Sequence, residues 1–364
     1  MWIRRLSISQ LRNLADVDVE LGPGLNYLYG SNGAGKTALL EAVHLLGRGR
    51  SFRSGQVQDL IGREADELLV RADLEDEHRG RLTVAMTRNR RNRGELRING
   101  EAARRLSELA VLLPLQVLTP GLSDLVFGSP VERRQWLDWG LFHVEPEHLR
   151  AWRQYLHALK QRNAALKAVA AGELPESALL VWTDEVAESG DLVNQRRQRY
   201  LNDLEPLLTR VLGDLAPELR LDMAYEPGWR AGDSLRKVLG ETLSRELKSG
   251  TTQSGPHRAD VSLRTNGVAA AGALSRGQGK AVASAMMLAQ ARLLMGTARR
   301  ASVFLIDDIG AEFDLAHSAR FFRLVTALGC QVLATSNLGP EHWREGVGLD
   351  MRVFHVEQGR VGAV

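Results

Sequence analysis

The sequence predicts an α/β fold, in which a nucleotide-binding head is assembled from both ends of the chain and an α-helical hairpin is inserted between them. Three observations predict it. A strand, a glycine-rich loop and a helix follow one another near the N-terminus, helical heptads fill the middle, and the apolar strand SVFLIDD lies near the C-terminus. We expect residues 1–127 to form the N-terminal part of the head, 128–248 the helical insertion and 249–364 the C-terminal part of the head.

Length and composition indicate a cytoplasmic protein with at least two domains. The chain has 364 residues, of which 44% are apolar and 25% charged, and this balance is typical of globular domains with a sizeable core. Cys330 is the single cysteine, so no disulfide can form within the chain, and a reducing compartment is expected. We find no signal-peptide pattern and no apolar run near the roughly 20 residues of a bilayer helix, so no membrane association is expected.

The periodicity of apolar residues predicts the elements of the N-terminal part. Alternation over the first 21 residues predicts two strands, LNYLY predicts a third, and residues 68–100 read as antiparallel strands. The tip TRNRRNRG is too charged to be buried and suits a hairpin turn. After the glycine-rich loop we expect a helix that ends near Gly47 as its C-cap.

The middle of the chain predicts two long helices. Residues 147–169 carry apolar side chains at heptad spacing, with the polar Asn163 on the same seam, where such a residue can fix the register. The segment AAGELPES interrupts the pattern, and a second helix runs through Trp182 and Val211. An arm of about 22 residues would be roughly 33 Å long. A projecting arm and a helical subdomain packed on other elements are both compatible with this pattern.

The strongest motif is the segment GSNGAGKT, which matches the phosphate-loop pattern and stands between a predicted strand and a predicted helix. Its glycines allow backbone N–H groups to approach phosphates, Lys36 can reach the β- and γ-phosphates, and Thr37 can supply a hydroxyl to Mg²⁺. The sequence therefore predicts a site for ATP with Mg²⁺. The predicted nucleotide-binding residues of the loop are Gly30, Ser31, Asn32, Gly33, Ala34, Gly35, Lys36 and Thr37.

Two carboxylates follow the apolar strand SVFLI. We expect Asp307 to hold Mg²⁺ together with Thr37, and Asp308 to orient or polarise the attacking water. Adjacent like charges repel, and a divalent cation relieves that repulsion. The alternative is a helix N-cap in a solvated turn.

A second anion-binding pattern is LSRGQ, in which Ser275, Gly277 and Gln278 precede a helix expected to start near Ala281. A serine hydroxyl, an open glycine N–H and a helix N-terminus together favour phosphate. Because this segment has no phosphate loop of its own, we infer that it closes over the γ-phosphate of a nucleotide held by another copy, which makes ATP the link in a homodimer. By itself the pattern could be an ordinary helix cap.

The chain resembles the RecF family of the SMC-like ABC-type ATPases. LSRGQ is similar to the ABC signature, and SVFLIDD to the Walker B strand. Segments that resemble the family run in order along the whole chain: LRNL at 11–14, GRSFR at 49–53, GSP at 128–130 with Arg133, Arg134, Leu137 and Asp138, KQRN at 160–163 and GPHRAD at 255–260. The resemblance implies an ABC-type ATPase head with catalytic roles for Lys36, Asp307, Asp308 and Ser275.

The resemblance also implies partners. Members of this family are expected to bind ATP, to dimerise on it and to bind duplex DNA near single-strand junctions. They are also expected to work with RecR-like and RecO-like mediators in loading a recombinase during recombinational DNA repair and replication restart.

Four departures from the ABC pattern predict slow hydrolysis. Asp308 stands where many of these ATPases have Glu, and Thr335, Ser336 and Asn337 stand where the switch His is usual. Gly279 follows the signature, and Ala311 opens the D-loop where the family usually has Ser. Gln116 is a candidate for the glutamine of the Mg²⁺ shell. The segment GPHRAD reads as structural bracing.

For DNA, the candidate residues lie in the arginine-rich hairpin, and the alternative is a solvated hairpin tip. Arginine forks bind backbone phosphates without reading bases. The predicted DNA contacts are Arg88, Arg90, Arg91 and Arg93.

Three other functions share parts of this pattern. A transporter ATPase subunit would have the same loop and signature but not the helical insertion. A structural DNA clamp should have far longer arms. A small-molecule kinase would need an acceptor pocket.

Overall fold

The computed structural model describes residues 1–76, 80–312, 314–347 and 350–364 of the chain. The strands are β1 Trp2–Leu11, β2 Leu14–Glu20, β3 Leu25–Tyr29, β4 Glu67–Asp76, β5 Gly80–Asn89, β6 Leu96–Ile98, β7 Glu101–Ala102, β8 Leu115–Leu118, β9 Asp222–Glu226, β10 Asp260–Thr265, β11 Val268–Ala269, β12 Val303–Ile306, β13 Gln331–Ser336, β14 Met351–Glu357 and β15 Arg360–Ala363. The α-helices are α1 Lys36–Arg48, α2 Leu106–Leu112, α3 Asp124–Phe127, α4 Pro130–Val144, α5 Glu147–Ala170, α6 Leu179–Leu215, α7 Leu235–Ser249, α8 Ala270–Ala273, α9 Arg276–Ala298, α10 Ile309–Glu312, α11 Leu315–Ala327 and α12 Glu341–Val347. Short 3₁₀ turns occupy Val57–Leu60, Glu176–Ala178 and Pro256–Arg258.

The contacts divide the chain into two compact units. The head unit comprises residues 1–122, 214–216 and 284–364, and the helical unit comprises 123–213 and 217–283. The segment 250–283 falls in the helical unit because β10 pairs antiparallel with β9, from Asp260↔Glu226 to Arg264↔Asp222. The division at 127/128 and 248/249 stays a prediction.

The nucleotide-binding sheet of the head unit has the strand order β15-β14-β3-β13-β12-β8. Strand β12, which lies in the SVFLIDD segment, and β13 are parallel neighbours, and β13 is parallel to β3. The burial of every residue in β12 and β13 fits strands covered on both faces. Because the carboxyl ends of parallel strands meet at one edge, this topology brings together the residues that follow β3, β12 and β13.

A second sheet of the head unit has the order β2-β1-β4-β5-β6-β7 and is antiparallel throughout. Its inward-facing side chains form one apolar cluster with α1 and with parts of the parallel sheet. The predicted strands of the first 100 residues are confirmed, and so is the α/β class of the head.

Helix α1 ends two residues later than predicted. Its C-cap is Gly49, which has φ 66° and whose N–H donates to the Leu45 carbonyl at 2.8 Å. Gly47, the predicted cap, lies inside the helix, where an added Cβ would stand 2.5 Å from Leu115 Cδ1. Close packing of α1 against β8 explains why residue 47 is a glycine.

In the helical unit, α5 and α6 are the two predicted long helices, and α7 packs on them. Tyr155, Val186 and Leu235 belong to one buried cluster drawn from all three helices. The seam residue Asn163 accepts hydrogen bonds from the backbone N–H and the hydroxyl of Thr252, at 2.8 and 2.7 Å. This packing favours the interpretation of the hairpin as part of a helical subdomain.

Among the described residues, one helix, Arg276–Ala298, has the length and composition of a membrane span. In the structure, 67% of its apolar window is buried inside the protein, as in the core helix of a globular domain.

Candidate nucleotide site

The phosphate loop connects β3 to α1, as the sequence predicts. Gly35 adopts φ 116°, and an added Cβ there would stand 2.8 Å from Leu14 Cδ2. An added Cβ at Gly30 would stand 2.1 Å from the Val356 carbonyl oxygen. Both positions therefore require glycine, which leaves the backbone N–H groups of the loop accessible at the start of α1.

Lys36 is held inside the loop. The side chain is 9% exposed, and Nζ donates to the carbonyls of Gly30 and Ser31, each at 2.8 Å. Burial lowers the pKa of Lys36, and the nearby carboxylates of Asp308 and Asp307 oppose this shift. The ammonium is thus positioned before any phosphate arrives.

Thr37 and Asp307 meet across 270 residues of sequence. The Thr37 hydroxyl donates to Asp307 Oδ1 at 2.8 Å, and the Thr335 hydroxyl donates to the same oxygen at 3.0 Å. These donors are all oxygen atoms, the ligand type that Mg²⁺ prefers. The residues present therefore fit the predicted Mg²⁺, which Thr37 and Asp307 would hold.

Asp308 has a left-handed backbone, with φ 55°. Its N–H donates to the Thr335 hydroxyl at 2.9 Å. A non-glycine residue in this region of φ and ψ is uncommon and strained, and such residues concentrate at functional sites. Thr335 thus links the Asp307 carboxylate to the backbone of Asp308.

A cavity of about 470 Å³ in the head unit joins these groups. Several residues that line the cavity were not predicted as site residues from the sequence: Arg12, Asn13, Phe52, Arg53, Thr119, Pro120 and Asn337. Asn13 Nδ2 donates to the Gly33 carbonyl at 3.1 Å and so supports the loop. The signal for Arg12, Asn13, Phe52 and Arg53 was present in the segments LRNL and GRSFR, which resemble the family pattern.

A buried carboxylate organises the wall that carries Phe52 and Arg53. Glu41 is fully buried and accepts hydrogen bonds from Arg12 Nη2 at 2.8 Å and from the Ser51 hydroxyl at 2.5 Å. Ser51 Oγ in turn accepts from the Arg53 N–H at 2.9 Å. This network holds Arg12 and the 51–53 segment against α1.

The signature segment lies in the helical unit. Helix α9 begins at Arg276, so the predicted start near Ala281 is wrong by five residues. Ser275 and Gln278 cap the helix reciprocally: the Ser275 N–H donates to Gln278 Oε1 at 2.9 Å, and the Gln278 N–H donates to Ser275 Oγ at 3.3 Å. This capping box explains the early start despite Gly277 in the first turn. Ser275 and Gly277 are exposed.

Gly279, which directly follows the signature, is buried and required. An added Cβ would stand 2.2 Å from Cε2 of the Phe127 ring. A residue of higher helix propensity would therefore clash with this ring.

Two other features singled out in the sequence, Gln116 and the segment GPHRAD, make contacts within the fold. Gln116 is buried, and its amide donates to Gln290 at 3.4 Å; it does not line the cavity. In the segment GPHRAD, Tyr155 OH and His257 Nδ1 are 2.6 Å apart, and Arg133 pairs with Asp260 at 2.8 Å. These contacts favour the bracing role expected for the segment.

The arginine-rich hairpin connects β5 to β6, and its four arginines differ. Arg90 donates to three backbone carbonyls, those of Ala65, Gly62 and Arg63, at 2.8–2.9 Å. Burial lowers the pKa of Arg88, whose guanidinium donates to the neighbouring Thr87 carbonyl. Arg91 and Arg93 are exposed. Arg90 is exposed as well, but its guanidinium and that of Arg88 donate to backbone carbonyls, whereas no described hydrogen bond engages the guanidinium of Arg91 or Arg93.

Comparison with known proteins assigns the chain to a family. The model of the RecF/RecN/SMC N terminal domain matches residues 2–360. DNA replication and repair protein RecF of Pseudomonas putida strain GB-1 is 40% identical over 99% of this chain and 98% of its own length. The chain belongs to the RecF family. A RecF of Shewanella baltica strain OS155 is 37% identical over the full length of both chains, and the expected role in DNA replication and repair is confirmed by this membership.

Solved structures confirm the fold. The chain is similar to the recombination mediator protein RecF with ATP in the RecFOR pathway, with a TM-score of 0.89 and 23% identity over 100% of this chain and 97% of that one. It is also similar to an SMC head bound to the C-winged helix domain of ScpA, with a TM-score of 0.61 and 15% identity over 100% and 97% of the two chains. The predicted ATPase head with an inserted helical hairpin is a RecF fold.

Proposed function

We propose that this RecF-family chain binds ATP with Mg²⁺ in the cavity of the head unit and uses the nucleotide to join two copies. The observation that carries the proposal is the preorganised set of Lys36, Thr37 and Asp307, which come from two chain ends. Lys36 is buried and positioned at the loop, and the two oxygen donors are 2.8 Å apart. The RecF structures with ATP and with its thio analogue, which have the same fold, support this ligand.

The chain's own residues bind and orient the triphosphate. The loop N–H groups and the Lys36 ammonium neutralise the phosphates, while Thr37 and Asp307 would hold the metal. Bound Mg²⁺ would supply further charge neutralisation at the β- and γ-phosphate oxygens. Asp308, whose backbone N–H donates to Thr335, orients water for hydrolysis. Because its side chain is one methylene shorter than Glu, we propose slow turnover that resets the dimer.

The signature completes the site from a second copy. Ser275 and Gly277 are exposed, and the only described contacts of Ser275 Oγ and Gln278 Oε1 are their mutual capping bonds. Such a helix N-terminus, with its partial positive charge, is suited to the γ-phosphate of another chain's ATP. ATP then lies between two subunits.

The dimer binds duplex DNA at gaps and single-strand junctions and helps to load a recombinase. Relatives named as replication and repair proteins support this role, and the RecFOR pathway of the similar structure points to RecR-like and RecO-like mediators as partners. Arg91 and Arg93 are the best-placed candidate DNA contacts of the hairpin. We place the protein in the cytoplasm.

The test is ATP-dependent dimerisation, measured by light scattering of the purified protein with and without ATP and Mg²⁺. Lys36→Arg and Ser275→Arg should both stay monomeric with ATP, while Ser244→Arg, at an exposed position of α7, should dimerise like the parent. Unchanged dimerisation of Ser275→Arg would refute the role of the signature in the dimer. Unchanged ATP binding by Lys36→Arg would refute the nucleotide site.

A further inference from the structure

The helical hairpin has an unusual concentration of exposed apolar side chains. Of the eleven large apolar residues exposed in the described part of the chain, five lie between positions 156 and 192. The two most exposed of these are Val181 at 70% and Leu180 at 62%. The buried face of the same helices already packs on α7, so these side chains point away from that core. Exposed apolar side chains grouped in this way mark interaction surfaces.

The same segment is acidic in a basic chain. No lysine or arginine occurs between Lys167 and Arg196, although the sequence pI is about 9.2. The carboxylates in this interval are Glu173, Glu176, Asp184, Glu185, Glu188 and Asp191. An excess of carboxylates repels phosphates, so this surface disfavours DNA and favours a basic partner.

The two properties combine on one face of α6. Val181, Glu185, Glu188 and Leu192 are spaced 4-3-4, which places them in one stripe along the helix. Val181, Glu188 and Leu192 are exposed, and Glu185 is half-buried. The eleven-residue span separates the apolar ends by roughly 16 Å at 1.5 Å per residue. We call these four residues the acidic stripe.

The only described side-chain hydrogen bond of Glu185 or Glu188 comes from Gln154 Nε2, which donates to Glu185 Oε1 at 2.6 Å. This neutral donor leaves the negative charge of Glu185 uncompensated. The described ion pairs of this part of α6 involve a different residue, Asp184, which pairs with Arg236. The stripe therefore keeps its charge for a partner.

We propose that the acidic stripe is a docking surface for a partner protein that presents two apolar contacts about 16 Å apart with lysine or arginine side chains between them. The apolar ends of the stripe bury against the partner, and the two glutamates select its basic residues. This surface is independent of the nucleotide site, so its failure would leave the proposed ATP-dependent dimer untouched.

The experiment begins with a photo-crosslinking residue, benzoylphenylalanine, at position 181 of the full chain in its host cells. The crosslinked protein is identified and purified, and its Kd for the parent chain is measured at several salt concentrations. Val181→Glu with Leu192→Glu should weaken binding at least tenfold. Glu185→Gln with Glu188→Gln should weaken binding severalfold and flatten its salt dependence. Val268→Glu is the matched control at an exposed apolar position of β11, 58% exposed, and should leave the Kd unchanged.

Four results would overturn the proposal: no crosslink, crosslinks only to a second copy of the chain, crosslinks only to DNA, or a partner whose Kd is insensitive to the stripe variants. Circular dichroism of each variant checks that α6 is intact, which is expected because the substituted side chains are at the surface.

Discussion

The phosphate loop and the signature segment are built in different ways, although both are predicted to bind the same nucleotide. Around the loop, the functional groups are held by contacts over long sequence distances, such as that between Thr37 and Asp307. The signature is held by one local capping box, Ser275 with Gln278. The loop is therefore preorganised within a single chain, whereas the signature has an exposed helix end, which fits the proposal that its anion belongs to another copy's nucleotide.

The largest expected effect is at the loop. Lys36→Ala should weaken ATP binding about 100-fold or more, because hydrogen bonds to a charged group contribute roughly 1.5–3 kcal/mol each and at least two are lost. Isothermal titration calorimetry measures the Kd for ATP. Lys248→Ala, at an exposed lysine of α7, is the control and should bind ATP normally. If Lys36→Ala and Lys248→Ala bound ATP with equal affinity, the contrast between the phosphate loop and the signature segment would be lost.

Behind the signature, Gly279→Ala tests whether packing keeps the start of α9 in place. The added methyl meets the Phe127 ring at 2.2 Å, so we expect a loss of roughly 1–3 kcal/mol in the free energy of unfolding, as is typical of overpacking. Urea denaturation gives the value. Gly296→Ala in the same helix, where an added Cβ meets nothing within 4 Å, should be neutral or stabilising by up to about 1 kcal/mol. A similar loss in both variants would show that Phe127 does not impose the glycine.

A smaller effect is expected at Thr335. Thr335→Val removes two hydrogen bonds, to the Asp307 carboxylate and from the Asp308 N–H, each worth about 0.5–1.5 kcal/mol net. Steady-state ATP hydrolysis should fall about tenfold, whereas Thr335→Ser should keep most of the activity because the hydroxyl remains. Full hydrolysis activity of the Thr335→Val variant would mean that Thr335 does not position Asp307 and Asp308.

The smallest effect concerns the hairpin arginines. Arg91→Ala and Arg93→Ala should each reduce the slope of log affinity for duplex DNA against log salt by about 0.9, the value expected per phosphate contact. Arg236→Ala, at an exposed arginine of α7, should leave the slope unchanged. Fluorescence anisotropy at several salt concentrations measures the slopes. Unchanged slopes for both hairpin variants would show that the hairpin tip is solvated and does not contact DNA.

Much of the fold and of the loop site could be predicted because their signals are local. The position of GSNGAGKT between a strand and a helix specifies the loop that holds Lys36 and Thr37, and the continuous apolar strand before Asp307 specifies the parallel neighbour that brings Asp307 to Thr37. Features that depend on residues distant in sequence could not be predicted. Gly279 is required by the Phe127 ring. The helix start at Arg276 is different, because the capping box of Ser275 and Gln278 that sets it is local and the segment LSRGQ carries its signal.

The roles of Glu41 and Ser51 show the same limit. A glutamate inside a helix gives no local sign that it is fully buried and hydrogen-bonded to Arg12 and Ser51. Only the tertiary structure brings these three residues into one network and so holds the 51–53 segment at the cavity wall.

The most direct test of the central claim mixes two inactive variants. Neither Lys36→Ala nor Ser275→Arg should dimerise with ATP when it is the only variant present. If the signature acts on the other copy's nucleotide, each mixed dimer in a one-to-one mixture contains one intact site. That site is formed by Lys36 of the Ser275→Arg variant and Ser275 of the Lys36→Ala variant. Analytical ultracentrifugation with ATP and Mg²⁺ should then show mixed dimers. A mixture that stays monomeric, or dimers formed by Ser275→Arg on its own, would contradict the account.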